Sequence, residues 1–237
     1  KIIDLGEINL TFNNETKRLY PFQNSTSHVV GFVNIDQKGQ TGIERFYDKS
    51  LLSSNDIFLS IDVNLQQSIR SNLIKTVKHY EAESGLALVL DISNGELLSS
   101  VSYPDFNPNK KDFNENNLIN RVIQSNYEMG STFKPLTIAN GFDYNVINSE
   151  MIFDIKKSVK GVRDHDNYKE DGLYNVEKIV VESSNIGTAQ IALKIGKKFQ
   201  KEFLNKLGFF KKIEIESLEA EQPLANPNNW GLHETTR

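Results

Sequence analysis

The chain has 237 residues, with 27 Lys and Arg against 31 Asp and Glu and a formal charge of −4. That length suits one large domain, or one domain with part of another, and the mild acidity excludes the basic excess of a typical nucleic-acid binder. An apolar content of 38% is enough to build a core, and the absence of cysteine excludes disulfides, cysteine nucleophiles and thiolate metal sites.

Residues 1–56 are rich in turn formers (Asn13-Asn14, Pro21, Gly39, Gly42) and lack a helical period, so short strands and loops are expected, including a strand over residues 29–34. A junction falls at Ser53-Ser54-Asn55-Asp56. Residues 58–61 suit a short strand, after which Asp62 can cap a helix running to about Ala82. Leu65, Ile69, Leu73, Val77 and Tyr80 share one face of that helix. The apolar run 86–92 reads as a strand buried on both faces, and Asn94-Gly95 turns it into a second strand over 97–103. Residues 104–117 form a polar loop. Helices are expected over 131–142, 176–181, 186–195 and 199–207, the last closed by Gly208, with an irregular tail after Glu214. No stretch reaches the ~20 apolar residues that cross a bilayer, and residues 1–9 lack a signal-peptide core.

The chemistry concentrates in Tyr127-Glu128-Met129-Gly130-Ser131-Thr132-Phe133-Lys134-Pro135. On a helix, a spacing of three puts Ser131 and Lys134 on one face, with the amine able to approach the hydroxyl. Pro135 is tolerated only where a helix has just begun, so Ser131 sits where free amides favour developing negative charge. A serine with an amine beside it is a candidate nucleophile, provided the amine loses its proton below the ordinary lysine value of about 10.4. An isolated Ser-x-x-Lys equally fits an exposed serine at a helix start. The second element is Ser183-Ser184-Asn185, 52 residues later and just ahead of a helix. Its hydroxyl can relay a proton and its amide can hold a peptide bond, though Ser and Asn before a helix are also ordinary caps. Ser53-Ser54-Asn55 repeats the tripeptide without a nucleophile at that spacing. Asp164-His165-Asp166 has no standard metal-ligand spacing and reads as a solvated loop. No cofactor or metal motif is present.

Together these motifs resemble the class B penicillin-binding proteins, whose signature includes Ser-x-x-Lys, Ser-x-Asn and Lys-Thr-Gly. The likeness extends to Arg18-Leu19-Tyr20-Pro21, Val30-Gly31-Phe32 and Gly42-Ile43-Glu44, which are similar to motifs of the family's N-terminal pedestal. It continues through Ser60-Ile61-Asp62 with Gln66, residues 87–95, Tyr103-Pro104 to Asn107-Pro108-Asn109, Asn120-Arg121 and Asn228-Asn229-Trp230. Ser183-Ser184-Asn185-Ile186-Gly187 resembles the division-type form. The Lys-Thr-Gly motif is absent from this sequence, so the resemblance implies a fragment lacking the C-terminal part of the catalytic domain and the membrane anchor.

The resemblance implies an α+β fold: an antiparallel sheet with packed helices, preceded by a small extended domain over residues 1–56, with residues 57–237 forming the N-terminal portion of the transpeptidase domain. It implies a D,D-transpeptidase that cross-links peptidoglycan stem peptides at the division septum and is acylated by β-lactams. Ser131 would be the nucleophile, Lys134 the base, Ser183 a proton relay and Asn185 the group orienting the substrate peptide, with the Ser131 amide as one oxyanion donor. Implied partners are cell-division membrane proteins including a glycosyltransferase, and no nucleic acid. The implied location is the cytoplasmic membrane, with the catalytic domain outside the cytoplasm. Alternatives are an elongation-type enzyme, a serine β-lactamase or β-lactam sensor, and a non-catalytic division scaffold.

Overall fold

The computed structural model describes residues 15–110, 114–164 and 172–236, apart from the side chains of Leu232 and His233. Its contacts divide the chain into two compact units, Lys1–Ser125 with Ile215–Ala220, and Asn126–Glu214 with Glu221–Arg237. Helices and antiparallel strand pairs occur in both, so the α+β class expected from the sequence holds.

The first unit begins with a 3-10 turn, Gln23–Thr26, and three short helices: α1 (Ser27–Val30), α2 (Gly42–Phe46) and α3 (Asp48–Leu52). The strand expected over 29–34 is not formed. Its first residues lie in α1, and the only ladder contact nearby is a bridge between Val33 and Gly39. What organises this region is a close backbone crossing. A Cβ at Gly31, φ +81°, would stand 1.9 Å from the Thr41 carbonyl oxygen, and one at Gly42, φ +59°, would stand 2.6 Å from that of Val29. Only glycine supplies both the left-handed backbone and the missing side chain. Beside the crossing, the Arg18 guanidinium donates to the buried Glu44 carboxylate at 2.7 Å. The Tyr20 hydroxyl accepts from the Val33 amide at 2.9 Å.

Helix α4 (Val63–His79) starts where Asp62 accepts hydrogen bonds from the Asn64 and Leu65 amides at 2.9 and 3.0 Å. The predicted stripe packs through Val77, but Tyr80 falls just past the helix and is 73% exposed. Residues 57–62 form no strand. They run beside the next hairpin, with one backbone bond from the Asp62 amide to Leu98 and one from the Ser60 hydroxyl to the Leu97 carbonyl. The hairpin is β1 (Gly85–Leu90) with β2 (Leu97–Tyr103), antiparallel with a bulge at Val89/Leu90. Two short helices follow, α5 (Glu115–Leu118) and α6 (Arg121–Gln124), inside and after the stretch expected to be loop.

The burial of the two strands reverses the expectation. The apolar β1 leaves Leu88 and Leu90 about half exposed, whereas the serine-rich β2 is buried almost throughout. β2 packs against α4, α6 and α1, so it is the inner strand. Its polar atoms are matched one by one. The buried Gln66 of α4 donates to the carbonyls of Ser25 and Ser100 and accepts from the Ser100 amide and the Ser99 hydroxyl, all within 2.7–2.8 Å. The Ser102 hydroxyl accepts from the Arg121 amide at 3.0 Å. Each of these serines is tolerable because it is paired.

The second unit opens with a 3-10 turn, Gly130–Phe133, continuing into α7 (Lys134–Asp143). It then forms an antiparallel pair, β3 (Ile152–Asp154) with β4 (Leu173–Asn175), followed by α8 (Val176–Val181), α9 (Asn185–Lys206) and α10 (Leu232–Thr236). Its core is Ile138, Ile147, Ile155, Tyr174, Val176, Ile179, Ile191 and Ile195. The two helices expected over 186–195 and 199–207 are the two halves of α9, which breaks at Gly196, φ 78° and ψ 161°. Gln200 repairs the break by donating to the Ala192 carbonyl at 2.7 Å. Gly208 ends the helix as expected, with Gly208 and Phe209 amides returning to Asn205 and Leu204.

Removing Gln66 orphans several buried backbone groups at once. Gln66→Ala is expected to lower stability by about 3 kcal/mol, read as a fall in the urea midpoint of the first unit.

Candidate active site

Ser131 and Lys134 are joined through the backbone of one tight turn. Ser131 lies in the 3-10 turn, and the Lys134 amide, at the start of α7, donates to the Ser131 carbonyl. Pro135 then occupies the first turn of α7, where its missing amide costs nothing. Phe133, between them, packs edge-on against Phe209 at 5.5 Å between ring centroids. Ser131 is exposed and Lys134 half-buried.

The Lys134 amine reaches a different serine. Its Nζ donates to the Ser183 hydroxyl at 2.9 Å and also to the Ser183 carbonyl. Among the described residues, no hydrogen bond joins it to the Ser131 hydroxyl. Burial lowers the proton affinity of this amine below the ordinary lysine value, and the nearby Asp164 carboxylate partly opposes that.

Ser183 holds this position because two helices share one hinge. At the end of α8, Ser183 takes a left-handed conformation, φ 52°. Its amide returns to the Val180 carbonyl at 3.1 Å and that of Ser184 to Ile179 at 2.9 Å, a Schellman closure usually made with glycine. Ser184, fully buried, is at once the N-cap of α9, accepting from the Gly187 amide at 2.9 Å. A helix start leaves its first amides unpaired, and Asp164 takes the others. Its Oδ1 accepts from the Asn185 and Ile186 amides, the latter at 3.0 Å, and its Oδ2 from the Ser184 hydroxyl at 2.9 Å. Asn185 Nδ2 donates to the Arg163 carbonyl at 2.7 Å. Asp164 is therefore a cap carboxylate rather than part of a solvated loop. His165 and Asp166 lie outside the described residues, and no cluster of three metal-ligating side chains occurs among the described ones.

Ser131, Lys134 and Asn185 line a single cavity of about 780 Å³ within the second unit, together with Thr137, Asn140, Thr188 and Trp230. An exposed serine hydroxyl, an amine of lowered basicity, a second serine on that amine and a carboxamide are the parts of an acyl-transfer site without metal ligands. Sequence reading named four of these residues and missed Asp164, whose signal is only an acidic residue in a polar loop. It also placed Ser184 as the middle of a motif, whereas that residue carries the cap.

Comparison with known proteins places the chain in a family. Residues 85–236 match the penicillin binding protein transpeptidase domain family. The chain is 33% identical to a protein of Caulobacter vibrioides named "Probable peptidoglycan D,D-transpeptidase FtsI", over 97% of this chain and 40% of that protein. It is 31% identical to the peptidoglycan D,D-transpeptidase FtsI of Buchnera aphidicola, over 76% of this chain and 36% of that protein. Among solved structures, Pseudomonas aeruginosa PBP2, in complex with WCK 5153, superposes with a TM-score of 0.75 at 26% identity, covering 94% of this chain and 60% of that one. The chain belongs to the penicillin-binding protein transpeptidase family. It spans about 40% of the length of the first of these relatives. No helix among the described residues is long and apolar enough to cross a membrane.

The start of α9 has no room for a side chain at Gly187, where a Cβ would lie 2.6 Å from Ile179 Cγ1. Gly187→Ala is expected to destabilise the second unit by about 1–3 kcal/mol through overpacking, seen in thermal unfolding.

Proposed function

We propose that the protein carrying this chain is a D,D-transpeptidase that joins peptidoglycan stem peptides through a serine acyl-enzyme and is acylated by β-lactams at the same serine. The observation that carries this reading is the Lys134 amine, of the Ser-x-x-Lys pair, bonded to Ser183 of the Ser-x-Asn turn, with Ser131, Lys134 and Asn185 lining one cavity.

In this mechanism the Ser131 hydroxyl attacks the carbonyl of the penultimate D-alanine as Lys134 takes the hydroxyl proton. The tetrahedral oxyanion collapses, the peptide bond breaks, and the terminal D-alanine leaves with a proton returned from Lys134 through the Ser183 hydroxyl. Asn185 orients the substrate amide. An amine of a second stem then attacks the ester, giving its proton to the same Lys134–Ser183 pair, which passes it to Ser131 Oγ as the ester C–O bond breaks. A β-lactam enters the first half of the cycle as a mimic of the terminal dipeptide.

A role at the division septum, with membrane proteins of that machinery and a glycosyltransferase as partners and the catalytic domain outside the cytoplasm, is the finer part of the proposal. The names of the FtsI relatives support its division-type part, and the partners and location follow from the family resemblance alone. In the same reading residues 1–56 belong to a pedestal module and 57–237 to the transpeptidase domain.

Covalent labelling of the whole protein with a fluorescent penicillin tests the reaction. Wild type is expected to label and Ser131→Ala to lose at least 100-fold of the rate; equal labelling of the two would overturn the serine assignment. The pH dependence follows from Lys134. A lowered proton affinity frees the amine at lower pH, so the acylation rate climbs with pH and reaches its plateau well below the ordinary lysine value of about 10.4. Lys134→Met is expected to abolish that rise together with most of the rate.

A further inference from the structure

We infer that Asp164 is a positioning residue of this site: its carboxylate, by binding the start of α9, holds Ser183 in the backbone conformation from which it meets Lys134. The inference rests on the acyl-enzyme reading for its catalytic consequence, and on the hydrogen bonds alone for its structural one.

Ser183 is energetically out of balance by itself. A non-glycine residue in the left-handed region is unfavourable, and Ser183 adopts it with φ 52°. The conformation matters, because it turns both the carbonyl and the hydroxyl of Ser183 toward Lys134 Nζ. The Schellman bonds of α8 fix Ser183 from the N-terminal side. From the C-terminal side it is fixed only if Ser184 and Asn185 are fixed, and three contacts of Asp164 do that: the Ser184 hydroxyl and the amides of Asn185 and Ile186.

A neutral acceptor would replace it only in part. One carboxylate serves two amides on one oxygen and the Ser184 hydroxyl on the other. An asparagine in that place would keep the amides on its Oδ1, but its NH₂ group would face the hydroxyl, which would have to accept instead of donate. The carboxylate also sits at the positive end of a long helix, where negative charge is favoured, and Ser184 completes the cap by binding the next amide, that of Gly187. Asn185 is held from the same strand of chain, through Arg163. Residues 163 and 164 therefore place two of the proposed catalytic side chains, Ser183 and Asn185, without touching the reacting atoms.

The carboxylate has a second effect, through space, on Lys134, favouring its ammonium form against the burial that opposes it. Among the described residues, the other charged groups around the same cavity are Glu128 before the 3-10 turn, Arg163 beside Asp164 and Glu234 on α10.

Two measurements on the whole protein test the inference. In the first, penicillin acylation rates are measured for wild type, Ser131→Ala, Asp164→Ala and Asp164→Asn, each normalised to the molecules that label at completion, so that loss of folded protein does not enter. A positioning role predicts at least a 10-fold lower rate for Asp164→Ala, a smaller loss for Asp164→Asn, and for Asp164→Asn an acid limb of the pH profile moved to lower pH as Lys134 loses the carboxylate's field. A rate for Asp164→Ala within two-fold of wild type would overturn the inference. Equal labelling of wild type and Ser131→Ala would instead overturn the acyl-enzyme reading. The second measurement is independent of that reading. A crystal structure of Asp164→Ala is expected to show Ser183 out of the left-handed region with its contact to Lys134 lost; retention of both would sink the positioning role.

Discussion

The site depends on one close approach. Ile179, with no exposed surface, closes α8, and Gly187 lets the first turn of α9 settle directly on it. With those two helices in contact, the chain between them has only residues 182–184 in which to reverse, and Ser183 must take the left-handed conformation that a longer loop would avoid. The apolar core and the polar site are thus a single constraint. Packing at Ile179 and Ile191 sets where α9 begins, and that in turn sets where the Ser183 hydroxyl points.

Several buried polar groups are satisfied in clusters that join elements distant in sequence. Gln66 ties α4 to β2 and to the first 3-10 turn. Asp105 ties α4 to the loop after β2, accepting a forked pair of bonds from Arg70 at 2.6 and 3.1 Å and a further one from Asn24 at 2.8 Å. Asp164 does the same between its loop and α9. Such groups add only modestly to stability while paired, but breaking one leaves several partners unsatisfied in a dry setting. They specify a unique arrangement more than they strengthen it.

What could be read from the sequence follows the same division. Local signals held: the Asp62 cap, the Asn94-Gly95 hairpin, the break in α9 near Gly196 and its end at Gly208 are each decided by one or two residues and their nearest neighbours. Three expectations that needed tertiary knowledge did not hold. The run 86–92 is apolar enough to be a central strand, yet β2 with its serines takes the inner place, because Gln66 and Arg121 meet those serines from elsewhere in the chain. Residues 29–34 have strand composition, but the Gly31–Gly42 crossing bends them. Asp164 is the clearest case at the site. A polar loop residue 20 positions before Ser184 carries no local mark of being a helix cap.

The lysine brings these strands of argument together. An amine serving as base must be desolvated enough to give up its proton, yet close enough to polar groups to pass that proton on. Lys134 meets the first need by half-burial at the head of α7, and the second through the carbonyl and hydroxyl of one serine. A bare helix N-terminus close by would push the amine further toward neutrality, since the partial positive charge there disfavours a cation. Asp164 puts a carboxylate at that end, and its charge favours the ammonium form against the burial that opposes it. The proton on Lys134 is thereby held between two opposing influences of the same scaffold: burial that expels it, and a cap charge that retains it. In the proposed cycle such a group would accept a proton from Ser131 and return it in the next step, which a strongly basic or a fully neutral amine would do in one direction only.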